Sequence, residues 1–402
     1  MSGHKSYFTM APESSWGTIP SAMTHKLEIL PPWDVGAEIG EIEDPSLYNA
    51  VSPRGYYQGG ELARGPFGVR ANYEGLLELF RGVLPNYTTT DVEAGVVRDH
   101  LFREGPTLRS YHFDASEGDI PVGKVARVAG AKLTRFVLAG EAGQGNQGML
   151  RCEFGVVGKV VTKDNTAIAM SNLTAITLCV CTSGTKTVTK AGVNFYNLGV
   201  RPGQPVSGTS LPGGTKVASV DSATQITVTQ NATSSGSFTL TFTNDFPAVL
   251  PVLFHQAITV DDGAASDAGI RLRSFDLTIE QPHDEDDAFY FGAKNPDEPQ
   301  RAEKMTATLN ITQVFKNLDQ WNKFKAGTPG SPQIVLRHPD TIGSASFREL
   351  EIRMNNAVAR PHRTPIAGFG KLIATTTYKA AYDAADASAV AIRVRGVEAA
   401  LA

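Results

Sequence analysis

The residues with the clearest potential for chemistry form an acidic run, Asp284-Glu285-Asp286-Asp287. Hard cations such as Ca²⁺ prefer several carboxylate oxygens, so a run of this kind could hold one. However, this run lacks the glycine and the ligand spacing of a calcium-binding loop. Adjacent carboxylates also repel one another when they are not solvated or paired. The run therefore predicts a solvated loop or an intermolecular contact loop, and no metal site.

Two other groupings of reactive residue types carry weaker signals. Cys179 and Cys181 lie one residue apart in a strand-like run, but no second cysteine pair or neighbouring His completes a metal or redox site. His112 and Asp114 share one face of another run, and neither a nucleophile elbow nor an ordered Ser, His and Asp set accompanies them. We therefore interpret the cysteines as packing residues and predict no catalytic and no cofactor-binding residues.

Charge and composition disfavour several classes of protein. The 402 residues include 37 Lys and Arg against 41 Asp and Glu, a net charge of −4, whereas proteins that grip nucleic acid concentrate basic residues into a footprint. The 3 cysteines are too few and odd in number for a disulfide framework. No apolar run approaches the thickness of a bilayer, and the first residues lack a signal-peptide stretch. We therefore expect a soluble protein made in the cytosol.

Short β-branched runs separated by Gly, Pro and Asn predict a mainly β chain. Arg273–Gln281 and Met305–Gln313 alternate between apolar and polar residues, as half-buried antiparallel strands do. From Tyr73 to Leu84 the apolar residues recur with helical spacing, and Asn72 is a candidate N-cap. These residues predict a helix that covers one sheet face, and a second, short helix is predicted at Leu318–Lys325.

Composition divides the chain into three regions. Residues 1–65 are rich in proline and lack clean periodicity, which predicts an extended N-terminal arm held by the core surface or by other chains. Residues 162–244 are dominated by Thr, Ser, Gly, Val and Asn, and their short strands predict a small sandwich-like β domain. Residues 66–161 and 245–402 share one pattern, which predicts a discontinuous core with the β domain inserted.

Several motifs follow one another in a particular order along the chain: Glu13-Ser14-Ser15-Trp16-Gly17-Thr18, the helix at Gly75–Phe80, the strand Ile270–Glu280 before the acidic run, the strand Met305–Val314 with its following helix, and Gly368–Thr375 before the last strand. In this order they resemble the tail tube (major tail) proteins of long-tailed, siphovirus-type bacteriophages. The resemblance covers most of the chain outside about 162–244, and within that stretch Gly199–Val217 separately resembles a small β module found in phage proteins.

This resemblance implies a mainly β fold: a sandwich or barrel-forming core with one flanking helix, plus an inserted Ig-like or small β-sandwich domain on the outer tube surface. It implies a structural virion protein, made in the host cytoplasm, that self-assembles into stacked homohexameric rings, and not an enzyme. Tape-measure, tail-tip and tail-terminator proteins are the implied partners. DNA would pass through the lumen without specific binding, and no membrane and no cofactor is implied.

The resemblance also suggests which residues line the tube and which join its subunits. A lumen that repels phosphate is polar and preferably acidic. Large aromatics concentrate at interface cores, so Trp16 is expected to anchor either on its own subunit or on a neighbour. The candidate lumen-facing residues are Glu153, Asp276, Thr278 and Glu280. The candidate inter-subunit contacts are Trp16, Asp284, Glu285, Asp286 and Asp287.

Two other classes of function are the alternatives. A tail-tip, receptor-binding or capsid decoration protein would use the Thr-rich region as a binding module and would form closed oligomers instead of tubes. A virion hydrolase on a β scaffold would need a convergent acid–base pair in a pocket, which this sequence does not display.

Overall fold

A computed structural model describes residues 8–44, 55–93, 95–116, 125–143, 148–164, 166–172, 175–244, 250–261, 271–315, 319–364 and 372–401. Over these ranges the chain is mainly β, as predicted, with the short helices α1 (Leu77–Val83) and α2 (Asp319–Ala326). In chain order the strands are β1 (Phe8–Pro12), β2 (His25–Leu27), β3 (Ile29–Trp33), β4 (Gly36–Glu43), β5 (Tyr56–Arg70), β6 (Asn86–Glu93), β7 (Val97–Arg103), β8 (Tyr111–Ser116), β9 (Val125–Glu141), β10 (Arg151–Gly158), β11 (Val160–Asp164), β12 (Ile176–Cys181), β13 (Thr187–Thr189), β14 (Val206–Ser207), β15 (Val217–Ser222), β16 (Gln225–Val228), β17 (Gly236–Phe242), β18 (Ala257–Asp261), β19 (Leu272–Glu280), β20 (His283–Asp284), β21 (Gln300–Arg301), β22 (Thr306–Val314), β23 (Gln333–Ile342), β24 (Ser346–Met354), β25 (Asn356–Arg363), β26 (Ile373–Ala381) and β27 (Val390–Gly396).

The main sheet is antiparallel and is organised around the long strand β9. The first half of β9 pairs with β8 and β11, and its second half pairs with β10 and β19. From β10 the sheet continues through β5 to β3 and β4, while from β19 it continues through β22 and β26 to β25. The part of the sheet that matters for function therefore runs from β3 and β4 at one edge to β25 at the other.

A second sheet packs against the main sheet and completes a sandwich. Its order is β18-β23-β24-β27-β7-β6. Helix α1 bridges the two sheets, because the Phe80 ring lies 5.9 Å from Phe136 of the main sheet and 5.9 Å from Phe102 of the second sheet. Apolar residues of both sheets share one core with this helix. The predicted flanking helix is thus present and buries its apolar side.

Helix α1 is shorter than its sequence pattern predicts. Tyr73 and Leu76 are buried, but the helix begins only at Leu77, and no side chain caps it. Asn72 instead forms an isolated bridge with Pro251. The apolar spacing extends beyond the helix because the residues before it are also buried in the core. For the second helix, α2 lies within one residue of its predicted position, and Leu318 is outside the described residues.

The N-terminal region differs from the expected extended arm. Strand β1 lies inside the main sheet between β2 and β8, and Phe8 and Met10 are fully buried. Pro12 ends β1, and Pro31 lies in the edge strand β3, where a missing N–H removes no central ladder bond. The prolines are therefore compatible with strands that belong to the core. What projects is β4 with the first part of β5, because β4 is exposed along its whole length.

Residues 176–242 form a third sheet, ordered β14-β17-β12-β13-β16-β15, with a hydrophobic core of its own. Residues 192–197 form turns and irregular structure, so one of the short strand-like runs of this region is not a strand. The chain enters and leaves this region at one place, where Asn172 bridges Thr243. The region contacts the second sheet through Asn194, whose side chain donates to Gly95 O at 2.9 Å.

Candidate functional site

The polar face of the main sheet brings the four candidate lumen-facing residues together. Glu153 on β10 lies opposite Val137 on β9, and Val137 also lies opposite Thr278 on β19. Directly paired residues project from the same face of a sheet. Asp276 and Glu280 each lie two positions from Thr278 along β19, so they share this face as well. These four residues therefore share one continuous surface built from strands that are distant in the chain.

Threonine and asparagine side chains extend this polar face across β22 and β26. Asp276 pairs with Asn310, which in turn pairs with Thr377. The Thr377 hydroxyl donates to Asn310 Oδ1 at 2.7 Å, and the Thr278 hydroxyl donates to Asp276 Oδ1 at 3.0 Å. The intervening residues of β19, such as Leu277, are buried in the core. The sheet therefore has one apolar face and one broad polar face.

The polar face carries charges of both signs. Arg135 on β9 places Nη1 at 2.7 Å from Glu153 Oε1 and Nε at 3.7 Å from Glu280 Oε1. Arg151 lies on the same face, two residues before Glu153. The alternation that selected Glu153 also places Arg151 on the same face, whereas sequence reasoning missed Arg135. The face is therefore polar and mixed, not uniformly acidic.

A depression of about 510 Å³ lies on this face, open to solvent. Its lining includes Glu141, Arg151, Asp276, Asn310 and Thr312. In the described part of the chain, no group of three or more His, Cys, Asp or Glu residues could hold a metal ion. The depression is a concavity of the sheet surface with carboxylate, guanidinium, amide and hydroxyl groups along it.

The acidic run begins the loop between β19 and β22 and is divided into paired and exposed carboxylates. Asp284 Oδ1 accepts the Asp287 N–H at 3.1 Å, and Asp286–Ala288 form a single 3₁₀ turn. Glu285 is half-buried and lies 3.1 Å from Arg64 Nη2, and burial raises the pKa of its carboxyl. Asp286 and Asp287 are exposed. The run is thus a structured turn with two carboxylates in solvent.

This loop is fixed to the base of the projecting β4–β5 hairpin. The Glu61 N–H donates to Lys294 O at 2.9 Å, and Lys294 Nζ lies 2.8 Å from the Glu61 carboxylate. Gly60 allows the close approach of Phe289, since a Cβ added there would lie 2.4 Å from Phe289 Cε1. At the loop tip Tyr290 is 62% exposed and Phe291 is fully exposed. Sequence reasoning missed this aromatic pair, although it directly follows the acidic run.

Trp16 is anchored on its own subunit. Its indole Nε1–H donates to Gly130 O at 2.9 Å, and the Lys159 ammonium lies 5.0 Å from the centre of its ring. The Glu13 carboxylate accepts the N–H groups of Gly130 at 2.8 Å and Gly17 at 2.7 Å. The short motif around Trp16 therefore fastens the N-terminal segment onto β9. Contact of the half-exposed indole with a neighbouring subunit stays a prediction.

The His112–Asp114 pair and the cysteines, which have reactive side chains, are buried. His112 is fully buried, and its Nε2 lies 3.4 Å from Asp114 Oδ1. Burial opposes ionisation of the Asp114 carboxyl, but hydrogen bonds from His112 and Arg127 hold its pKa below the usual value. Cys152, Cys179 and Cys181 are buried free thiols. These groups pack inside the protein, which matches the interpretation of the cysteines as packing residues. Neither helix of the described chain is long and apolar enough to cross a membrane.

The described chain is a β-sandwich with one broad polar sheet face, a projecting hairpin and an exposed loop. The family model described as phage tail tube protein matches residues 3–380, so the chain belongs to this family. It is therefore a structural component of the bacteriophage virion tail, and membership implies assembly with itself and with other tail components. No curated protein matches the chain significantly.

Proposed function

We propose that this protein forms stacked hexameric rings whose main sheets line the conduit for DNA. The observation that carries the proposal is the continuous polar face across β10, β9, β19, β22 and β26, which gathers Glu153, Asp276, Thr278 and Glu280 while the opposite face is core. The edge strands of such a sheet carry unpaired N–H and C=O groups. If the sheets of neighbouring subunits close into a barrel, these edges become paired and the polar faces line the lumen.

The charges on this face are mixed, because the carboxylates of Glu153, Asp276 and Glu280 lie among the basic residues Arg135, Arg151 and Lys379, and this mixture favours passage of DNA over tight binding. Nucleic-acid binding requires basic residues that are available to neutralise phosphates. Arg135 lies between Glu153 and Glu280, so two carboxylates compete for its charge. With Asp276 close by, phosphates would meet fixed carboxylates as well as arginines. The proposed lumen thus repels or tolerates the DNA backbone without specific binding.

The remaining parts of the proposal concern the inserted domain and the partners. The region 162–244 contacts the second sheet, on the side of the sandwich away from the polar face, which supports a place on the outer tube surface. Tape-measure, tail-tip and tail-terminator proteins are the proposed partners at the ends and inside of the tube. We expect that the protein has no catalytic activity. We also expect that it is synthesised in the host cytoplasm.

Negative-stain electron microscopy over a range of protein concentrations tests this function directly. Hollow tubes or stacked sixfold rings are expected. Monodisperse monomers or trimers that do not polymerise even when seeded with tail tips would contradict the proposal and favour a receptor-binding or decoration protein.

Charge reversal tests the lumen assignment separately. Asp276→Lys and Glu280→Lys, made one at a time, should leave tubes intact but lower DNA delivery, because each adds a cation where phosphates pass. The matched control is Asp340→Lys on the second sheet, whose carboxylate is 78% exposed. The readout is infectious titre at equal particle number. If both lumen variants deliver DNA as well as the control, these two residues do not face the lumen.

A further inference from the structure

A cluster of three cations lies at the β25 edge of the main sheet. Helix α2 packs on β25 there and leaves an open depression of about 790 Å³. Its lining includes Lys325 from α2, Arg360 from β25 and Lys379 from β26. We call these three residues the cationic pocket. Phe324 also lines this pocket, so the site offers an aromatic surface together with positive charge.

The cations of this pocket lack carboxylate partners within the described chain, and all three are exposed. In contrast, arginines on the second sheet are paired with carboxylates. Arg395 lies 2.7 Å from Asp99 and 3.5 Å from Glu349, and Arg393 also pairs with both carboxylates. Like charges held close together attract an anion. The pocket is therefore suited to a negatively charged partner.

The opposite edge of the same sheet presents a surface of complementary chemistry. The loop fixed to β5 displays the exposed carboxylates of Asp286 and Asp287 beside the exposed rings of Tyr290 and Phe291. We call these four residues the acidic–aromatic tip. The loop that carries the tip is fixed to β5, which lies next to the edge strands β3 and β4. Strand β25 is the edge strand on the other side of the sheet. The tip and the pocket therefore lie at opposite lateral edges.

Two different surfaces at opposite edges of one chain allow a head-to-tail contact that repeats around a ring. We infer that the acidic–aromatic tip of one copy seats in the cationic pocket of the next copy within the ring. The inference rests on the proposed ring-forming function and names the surfaces that join neighbours. The two carboxylates would pair with two of the three cations, and an aromatic ring of the tip would pack against Phe324, as buried aromatics do at the centre of interfaces.

A charge-swap experiment tests this contact. Asp286→Lys with Asp287→Lys reverses the tip, and Lys325→Glu with Lys379→Glu reverses the pocket. Each pair should raise the protein concentration needed for assembly by on the order of tenfold or more, because like charges then face each other. All four substitutions in one chain restore opposite charges, so assembly should recover. Sedimentation velocity and electron microscopy provide the readout.

Matched controls separate this contact from general effects of charge. Asp340→Lys and Lys186→Glu make the same kinds of reversal at exposed positions outside both surfaces and should assemble like the unmodified protein. Thermal unfolding of every variant checks that its fold is retained.

The outcomes distinguish this inference from the proposed function. If the unmodified protein forms tubes and the reversed variants do so equally well, the contact is wrong while the tube stands. Loss of assembly in both reversals without recovery in the combined chain would also overturn the pairing. A pocket reversal that assembles normally but alters DNA delivery would assign the pocket to phosphate instead. Failure of the unmodified protein to assemble would count against the proposed function itself.

Discussion

Gly130 lies within β9 where the N-terminal motif is fastened, and its geometry requires glycine. Its φ is 69°, in the left-handed region, and an added Cβ would lie 2.8 Å from Trp16 Nε1 and 2.9 Å from Lys159 Cβ. Gly130→Ala should therefore lower the free energy of unfolding by about 1–3 kcal/mol, measured by chemical denaturation. Gly213→Ala is the control, because nothing lies within 4 Å of a Cβ there. Equal stability of the two variants would contradict the strain at Gly130.

Trp16→Phe separates the two roles that remain for this residue. Phenylalanine keeps the aromatic ring but removes the N–H that binds Gly130 O. The free energy of unfolding should fall by about 1 kcal/mol. If the indole contacts only its own subunit, tubes should form at nearly the original concentration. A large loss of assembly with little loss of stability would instead show that Trp16 anchors on a neighbour.

At the residue scale, the sequence predicts orientation but not pairing. The strict alternation of β19 was sufficient to place Asp276 and Glu280 on the wet side of a sheet. The partner of Glu280 on β9, Arg135, depends on the register between strands far apart in the chain, which no local pattern reports. The same limit applies to Trp16, whose position on Gly130 requires the complete sheet.

Strand β1 is the element whose role changes most between sequence and structure. Proline-rich composition predicted a peripheral arm, yet the strand supplies Phe8 to a cluster with Phe67 at 5.0 Å and Phe113 at 5.0 Å. Phe8→Ala should consequently lower the free energy of unfolding by about 3–5 kcal/mol, measured by denaturation of the unassembled protein. An unchanged denaturation midpoint together with impaired assembly would instead support the interpretation of this segment as an arm that contacts other chains.

The inserted domain is the element that should be most easily removed. Its apolar side chains form a separate cluster, and its two ends are held together by the Asn172–Thr243 bridge. Joining these two residues by a short Gly-Ser linker should leave a core that still unfolds cooperatively and still forms tubes of smaller outer diameter. Electron microscopy measures the diameter. Tubes of unchanged width would place the domain somewhere other than the outer surface.

For the molecule as a whole, the contact between the inserted domain and the sandwich should make stability depend on pH. Arg201 Nη1 lies 2.9 Å from Glu398 Oε1, but burial outweighs this attraction and raises the pKa of Glu398 from 4.5 to about 7. A carboxyl whose folded pKa is raised favours the folded state when it is protonated. Its contribution is therefore present at low pH and is lost as the pH rises from 4.5 to about 7.

Glu398→Gln tests this dependence, because glutamine keeps a hydrogen-bonding side chain that does not ionise. Between pH 4.5 and about 7, the variant should lose less stability than the unmodified protein as the pH rises. The melting temperature measured at several pH values is the readout, and Glu303→Gln at an exposed position is the control. Parallel curves for Glu398→Gln and the unmodified protein would show that this carboxyl does not titrate in the range.

At the scale of the whole molecule, the mainly β fold followed from the sequence because strand alternation and turn residues are local signals. The family resemblance added the tail tube identity, which the family comparison confirms. The cationic pocket was not predictable, since Lys325, Arg360 and Lys379 lie on a helix and two strands that meet only in the folded chain. These three residues are far apart in the sequence, and they form one site because the topology of the sheet brings them together.

The bridge between Asn172 and Thr243 has a practical consequence for engineering. Because the chain leaves the sandwich and returns to it at one point, a foreign domain with similarly close termini could replace residues 173–242 without altering the remaining topology. In a polymer of identical subunits, every graft would repeat at the spacing of the subunits. The junction thus offers a scaffold for displaying enzymes or antigens in a regular array.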